Sequence, residues 1–277
     1  MRDIPRRKFL DLTFKGSLAV VATPAIISNL WSCKSMGSGS VTELDPGLLN
    51  KIIRKALEKG GDFAEVYVEN RITRNISMEE SKFKSGTFGI VKGAGVRVIS
   101  GEKTGYAYTD ELSEEKLIRA AEVASYVATG GKQVAPIDVQ EAGREEFITV
   151  DIPLTDLADE KRLEVMQRAN QAALDYDPKI KMAMINYYDE VRGRTIANSE
   201  GLFLQDELPQ LFFIVQAMGV GNNTRHMARE RLGHHSGFEM FDKTSPEEVA
   251  RRAAREAVVM LEAEDAPAGI MDVVMQN

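Results

Sequence analysis

The stretch at residues 63–109 reads FAEVYVENRITRNISMEESKFKSGTFGIVKGAGVRVISGEKTGYAYT, and it carries the strongest strand pattern of the chain. It opens with Ala64, Val66 and Val68 alternating with more polar residues, the pattern of a strand with one buried face. Further strand-like runs, rich in β-branched and aromatic residues, follow at 71–79, 87–92, 94–100 and 104–109, with glycines between them. Because these runs are too close together for crossover helices, they predict antiparallel hairpins rather than βαβ units.

Helices are predicted on both sides of this stretch. Asp45 followed by Pro46 is typical of a helix start, and Gly60-Gly61 of its end. Ser113 predicts the start of a second helix, because two glutamates follow it in the first turn. Each helix has one predicted apolar face: Leu48, Leu49, Ile52, Ile53, Ala56 and Leu57 in the first, and Leu117, Ile118, Ala121, Ala124 and Ala128 in the second.

The second half of the chain repeats this order of elements. A helix is predicted at 157–176, then strands at 179–191, 194–198, 201–207, 210–220 and 224–233. A last helix opens with a capping box formed by Ser245 and Glu248. The Met182/Met184 pair and the Leu211-Phe212-Phe213 run are predicted to lie in the core. The predicted class is α+β, with antiparallel sheets, packed helices and a repeated helix–hairpins–helix order.

The domain organisation follows from composition. Residues 1–40 are interpreted as a signal and tether, 41–135 as an N-terminal α+β subdomain, 136–150 as a polar linker and 151–277 as a second α+β subdomain. Hydrophobic residues make up 43% of the chain and charged residues 28%, which is a globular balance. The formal net charge of −7 argues against a nucleic-acid partner, which would need clustered Lys and Arg.

The N-terminus carries an export pattern. Arg6 and Arg7, followed closely by Phe9 and Leu10, are typical of a twin-arginine signal. The apolar segment at 17–30 is interrupted by polar residues, and a spanning helix needs about 20 mostly apolar residues, so a permanent anchor is not predicted. The alternative is a basic arm that stays inside the cell. Export predicts a periplasmic protein or a membrane-attached lipoprotein.

Cys33 is the one cysteine of the chain, so an internal disulfide is excluded. It directly follows the apolar segment and resembles the lipidated cysteine of a bacterial lipobox, although Trp31 fits that pattern poorly. Lipidation of Cys33 and a simple unpaired thiol both remain open. Lipid is the predicted means of any membrane attachment.

No catalytic, cofactor-binding or metal-binding residue is predicted from the motifs. Ser81 and Lys84 match S-x-x-K, and a K-T-G begins at Lys103, but the predicted strand or turn cannot place the serine and lysine on one helical face. The histidines, His226 in a strand and His234-His235 in a turn, lack metal-ligand spacing. Gly93 and Gly95 are interpreted as turn glycines.

Three stretches together resemble the TldD/PmbA family of bacterial metallopeptidases. The first, residues 60–124, carries G-x-G-x-R-V from Gly93 and G-x-A-Y-T from Gly105. The second, residues 177–201, ends in an N-S-x-G turn at Asn198, and the third runs from Pro246 through the closing APAGIMDVVMQN. The resemblance implies dimers, either with a second copy or with a related subunit, that enclose a cavity in which unfolded peptide is cut.

The resemblance also bears on the apolar run at 270–275, which is predicted to be a strand. In the family this strand precedes a helix with H-E-x-x-x-H, whose histidines and a later cysteine hold a catalytic zinc. That motif is absent from this sequence, so we expect an N-terminal, cavity-forming portion without a metal site, running into a C-terminal metallopeptidase domain. The alternative is a non-catalytic exported binding or scaffold lipoprotein. The genomic sequence beyond Asn277 distinguishes the two.

Overall fold

The computed structural model describes residues 44–132, 134–141, 148–221, 223–264 and 268–275. The predicted signal residues Arg6, Arg7, Phe9 and Leu10, the tether and Cys33 lie outside these ranges. Within them the chain forms seven strands and five α-helices, which confirms the predicted α+β class.

The elements follow one another in a simple order, interrupted by one 3₁₀ turn at Tyr126–Ala128. The strands are β1 (Phe63–Glu79), β2 (Lys82–Ser100), β3 (Lys103–Thr109), β4 (Ile137–Glu141), β5 (Ile180–Asn198), β6 (Glu200–Gly221) and β7 (Thr224–His234). The helices are α1 (Pro46–Ala56), α2 (Glu114–Ser125), α3 (Asp159–Leu174), α4 (Met240–Lys243) and α5 (Pro246–Glu262).

All seven strands belong to one sheet, in the order β3-β2-β1-β5-β6. Two strands pair with the side of β6 that faces away from β5. Strand β4 runs parallel to the first residues of β6, and β7 runs antiparallel to its last residues. Strands β1 and β5 pair over 15 residues, from Glu65 opposite Asn198 to Glu79 opposite Met184. Strands from both predicted subdomains are therefore joined in a single hydrogen-bonded sheet.

The strands are longer than predicted. Runs expected as separate strands are continuous: 71–79 belongs to β1, and 87–92 and 94–100 both belong to β2. The interpretation of Gly93 and Gly95 as turn glycines was wrong, because both lie inside the β1–β2 ladder, opposite Glu69 and Tyr67. A glycine inside a strand often marks a place where another group approaches the backbone closely. The alternation of apolar residues and the composition of the stretch do not distinguish such a glycine from one in a turn.

The predicted helix starts are confirmed. The Asp45 carboxylate accepts a hydrogen bond from the Leu48 amide at 3.2 Å, and the Ser245 hydroxyl accepts one from the Glu248 amide at 3.2 Å. The Glu248 side chain bonds to Arg252 instead, so only half of the predicted capping box forms. Helix α1 ends at Ala56, before the predicted Gly60-Gly61 stop.

Two apolar clusters cover one face of the sheet. Helices α1 and α2 pack on the β1–β2–β3 end, where Val66, Val68 and Val96 are buried, and helices α3 and α5 pack on β5 and β6. Leu211 and Phe213 lie in the second cluster as predicted, but the predictions for Phe212, Met182 and Met184 were wrong. Strand alternation buries Ala183 and Ile185 and turns the two methionines to the opposite face.

A buried ion pair ties α3 to the sheet. Arg162 and Asp189 both have fully buried side chains, and the Arg162 Nε donates to Asp189 Oδ2 at 2.7 Å. The same guanidinium donates to the carbonyls of Leu154 and Leu157, each at 2.6 Å. The Tyr187 hydroxyl also donates to Asp189, and burial, followed by the Asp189 charge, raises the pKa of Tyr187.

Two segments differ from the prediction. The expected linker at 136–150 contains β4, which pairs with the start of β6. The predicted strand at 270–275 was wrong, since these residues lie outside any sheet and Ile270, Val273, Val274 and Met275 are exposed. Apolar β-branched residues favour a strand only where a neighbouring strand supplies hydrogen bonds, and none of the described strands pairs with this segment.

Candidate functional site

The face of the sheet opposite the two apolar clusters carries polar and charged side chains. We call it the open face and define it by Tyr67, Glu69 and Arg71 of β1. The pairing of β1 with β5 and of β5 with β6 brings further groups beside them. Together these form what we call the polar belt: Tyr67, Glu69, Arg71, Tyr188, Glu190, Arg192, Arg194 and Asp206.

Glu190 lies at the centre of the polar belt and is only 5% exposed. The Tyr188 hydroxyl donates to Glu190 Oε2 at 2.6 Å, and Arg192 Nη2 donates to Oε1 at 2.7 Å. Burial by itself would raise the pKa of Glu190, but the Tyr188 and Arg192 hydrogen bonds and the charges of Arg192 and Arg71 outweigh it, so the pKa is lowered. Glu190 is therefore held as a carboxylate.

Most of the other belt residues are also paired by hydrogen bonds. The Tyr67 hydroxyl donates to Glu69 Oε2 at 2.7 Å, and burial, followed by this bond, raises the pKa of Tyr67 to about 12. Arg194 makes a two-point contact with Asp206, with its Nε 2.8 Å from Oδ1. Burial, followed by the bond to Glu190, likewise raises the pKa of Tyr188 to about 12, so both tyrosines stay protonated donors at neutral pH. Arg71 lies 3.8 Å from Glu69 Oε1, beyond hydrogen-bond distance.

Beside the belt lies a shallow cavity, which we call the glycine–tyrosine groove, with a volume of about 300 Å³. Gly93 and Gly95 of β2 form its floor. Tyr106 and Tyr108 of β3 stand along it and are 62% and 79% exposed. The groove meets the polar belt at Tyr67 and Glu69, so the open face offers a continuous path from the β3 edge towards β5.

This arrangement suits binding rather than bond breaking. The belt carboxylates of Glu69, Glu190 and Asp206 are engaged by tyrosine hydroxyls or guanidinium groups. Paired side chains at fixed positions on a rigid sheet can orient an extended ligand, and exposed tyrosines add contact area with few rotatable bonds. The described helices include none that is long and apolar enough to cross a membrane.

Comparison with known proteins identifies the family. The model of the PmbA/TldA metallopeptidase domain 1 matches residues 64–128, and that of the central domain matches residues 152–261. Together the two matches cover more than half of the chain. The chain belongs to the TldD/PmbA family.

Named relatives agree with this assignment. The chain is 28% identical over 224 residues to a Haemophilus influenzae protein named as a metalloprotease TldD homolog, covering 77% of this chain and 46% of that protein. It is 25% identical over 237 residues to a metalloprotease of Methanothermobacter thermautotrophicus, covering 84% and 50%. The chain thus spans about half the length of the curated relatives that it matches.

Solved structures share the fold. TldE from Thermococcus kodakarensis superposes with a TM-score of 0.60 at 17% identity, covering 76% of this chain and 47% of that one. A Thermotoga maritima structure superposes with a TM-score of 0.62 at 21% identity, covering 80% and 50%. At these identities the likeness concerns the fold.

The zinc that the TldD/PmbA resemblance implies does not fit the described residues. No group of three or more His, Cys, Asp or Glu side chains in the described ranges is arranged to hold a metal ion. His226 lies in β7 as predicted, but His234 is the last residue of that strand rather than part of a turn. The His235 ring is 3.2 Å from the Pro209 carbonyl.

The S-x-x-K match is structural, in agreement with its predicted turn and strand setting. Ser81 lies in the β1–β2 turn, where its hydroxyl accepts a hydrogen bond from Asn170 at 2.9 Å. The Lys84 amine lies 3.1 Å from Glu80 instead. Ser81 therefore anchors the hairpin end to α3, and Ser81 and Lys84 do not form a nucleophile with its base.

Sequence reasoning missed the polar belt. Its signal is present in Tyr188, Glu190, Arg192 and Arg194, which recur every second residue and so share one face of β5. The other face of β5 is mostly apolar and buried. Alternating tyrosine, glutamate and arginine residues on such a strand predict a surface of paired polar side chains. The contribution of β1 and β6 depends on the register of the pairing, which only the structure supplies.

Proposed function

We propose that these residues form the peptide-binding, cavity-forming portion of a TldD/PmbA-type metallopeptidase that cleaves unfolded peptides or proteins. The observation that carries the proposal is the open face, where the polar belt and the glycine–tyrosine groove lie side by side on a rigid sheet. The metalloprotease names of the relatives support the reaction class. Zinc would be held by residues other than those described.

The proposal extends to how substrate is held. Strand β3 ends the sheet, and among the described strands it pairs with β2 alone. An extended peptide can add to such an edge through main-chain hydrogen bonds, with alternate side chains facing Tyr106 and Tyr108. We further propose that the protein works as a dimer, with a second copy or a related subunit. TldE among the structural neighbours is compatible with either arrangement.

Binding without cleavage is the expected behaviour of the purified 277-residue chain. A fluorescently labelled unfolded peptide should bind saturably and stay intact, and metal analysis should find no stoichiometric zinc. A small folded protein with the same label is the matched control and should not bind. One tightly held zinc per chain, together with chelator-sensitive cleavage, would contradict the proposal.

Export is a separate proposal, supported by Arg6 and Arg7. It places the protein in the periplasm, or on the membrane if Cys33 carries a lipid. Replacing both arginines with lysine should abolish export of a fused reporter, and unchanged export would refute the twin-arginine assignment. Cys33→Ser should release any membrane-bound fraction, and an unchanged distribution would refute lipidation.

The second candidate function, a binding or scaffold lipoprotein on the same fold, is favoured by the position of Cys33.

A further inference from the structure

We propose that the glycine–tyrosine groove binds an arginine or lysine side chain of an extended peptide. The inference deepens the proposed function, because it names the class of side chain that the open face selects. Three independent features of the groove carry it: a floor without side chains, walls of tyrosine and an excess of carboxylate.

The floor consists of glycine backbone, and the Tyr106 ring packs against part of it. A Cβ at Gly95 would lie 2.5 Å from the Tyr106 hydroxyl and 3.0 Å from the ring carbon that bears it, so the tyrosine lies directly against the β2 backbone. A Cβ at Gly93 would lie 3.0 Å from the Thr109 carbonyl oxygen. Glycine is thus what lets the ring approach the strand. The resulting volume of about 300 Å³ is at the small end of ligand cavities and suits one long side chain.

The walls are aromatic and accessible. Register places Tyr108 opposite Gly95, and Gly95 in turn lies opposite Tyr67 on β1. Strand alternation puts Tyr106 and Tyr108 on the same face, while Gly105 and Ala107 face α2. Exposed tyrosine rings attract cations through the negative charge of their faces, and guanidinium groups stack on them with particular ease.

The charge of the groove is negative. Asp110 follows β3 beside Gly93, is exposed and has no ion-pair partner among the described residues. Glu69 uses Oε2 for Tyr67, while its Oε1 has Arg71 only at 3.8 Å and so retains capacity to accept a donor. Lys92 contributes backbone to the groove, but strand alternation directs its side chain to the other face. A basic side chain therefore fits better than an acidic or a purely apolar one.

The test uses labelled unfolded peptides that differ at one central residue, namely Arg, Lys, Leu or Glu, titrated with the full chain by fluorescence anisotropy. The Arg and Lys peptides should bind about fivefold more tightly than the Leu peptide, and the Glu peptide should bind most weakly.

Tyr108→Ala and Asp110→Asn should each weaken binding of the Arg peptide about two- to fivefold. Both variants should also discriminate less between the Arg peptide and the Leu peptide. Tyr126→Ala and Asp242→Asn, which remove an exposed tyrosine and an exposed carboxylate elsewhere, are the matched controls and should change nothing.

The outcomes separate this inference from the proposed function. Peptides that bind equally whatever the central residue, or Tyr108 and Asp110 variants that bind like the controls, would overturn the inference and leave peptide binding standing. If no peptide binds, acetyl-arginine amide is tested by NMR on the same chain. Shifts of the Tyr106 and Tyr108 ring signals would then support the groove and contradict the peptide-binding function. No shifts would overturn both.

Discussion

At the residue scale, Arg162 shows how a charged side chain can be fully buried. Its guanidinium donates to Asp189, to Asp159 and to two backbone carbonyls, so its donors are largely satisfied inside the protein. A buried ion pair adds little compared with an apolar pair of the same shape, but removing one member leaves the other charge buried without compensation. Arg162 therefore fixes the position of α3 against β5.

We expect Arg162→Ala to lower the free energy of unfolding by about 3–5 kcal/mol, because the Asp189 carboxylate would stay buried without its main partner. Urea unfolding followed by circular dichroism measures the change. Lys161→Ala, one residue away on the exposed side of α3, is the control and should shift stability by no more than about 0.5 kcal/mol. Equal effects of the two substitutions would show that the buried pair is not a structural anchor.

At the element scale, the contact between β3 and α2 depends on a residue without a side chain. A Cβ at Gly105 would lie 2.2 Å from the Ala124 carbonyl oxygen and 2.6 Å from a Val127 methyl carbon. The obstacle at Ala124 is backbone, which cannot rotate away as a side chain can. Strand and helix can therefore approach this closely only with glycine at this position.

Gly105→Ala should destabilise the chain by about 1–3 kcal/mol, since β3 or α2 must move to admit the methyl group. Gly86 is the matched control: it also lies in a strand, but a Cβ there meets nothing within 4 Å, so Gly86→Ala should be within about 0.5 kcal/mol of the parent. Thermal or urea denaturation of the three proteins gives the comparison. A Gly105 variant as stable as the Gly86 variant would mean that the close contact is easily relaxed.

At the scale of the whole molecule, one sheet connects both apolar clusters. Strand β1 contributes Val66 to one cluster and Met78 to the other, and β5 likewise contributes Ala197 to one and Ile185 to the other. Because each of these strands is a single hydrogen-bonded element, neither cluster can lose its strands without exposing part of the other. The stability of each predicted subdomain therefore depends on the other.

We expect the chain to unfold in a single cooperative transition. Arg162→Ala perturbs one cluster and Gly105→Ala perturbs the other. Within each variant, hydrogen exchange should nevertheless show every amide region unfolding at the same urea midpoint. Strands β2 and β6 serve as reporters of the two ends. A Gly105 variant that unfolds β2 at lower urea than β6 would show that the halves are independent units.

Local signals in the sequence were enough to predict most of the helices and strands and to indicate the family. Period-two alternation, the Asp45 and Ser245 caps and the short spacing between runs predicted an α+β chain with antiparallel strands, because these signals are local. The G-x-G-x-R-V and G-x-A-Y-T patterns supported the family resemblance that the comparisons then confirmed.

Strand length, register and the candidate site depend on contacts between segments that are far apart in the sequence. Glycine inside a strand and glycine in a turn look the same in sequence, so the continuity of β2 through Gly93 and Gly95 was not predictable. Backbone pairing brings Glu190 close to Arg71, which is distant in the chain, and it sets Tyr106 over Gly95 on the neighbouring strand. Register sets which side chains share a face, and it is fixed by the packing of the whole sheet rather than by any single stretch of sequence.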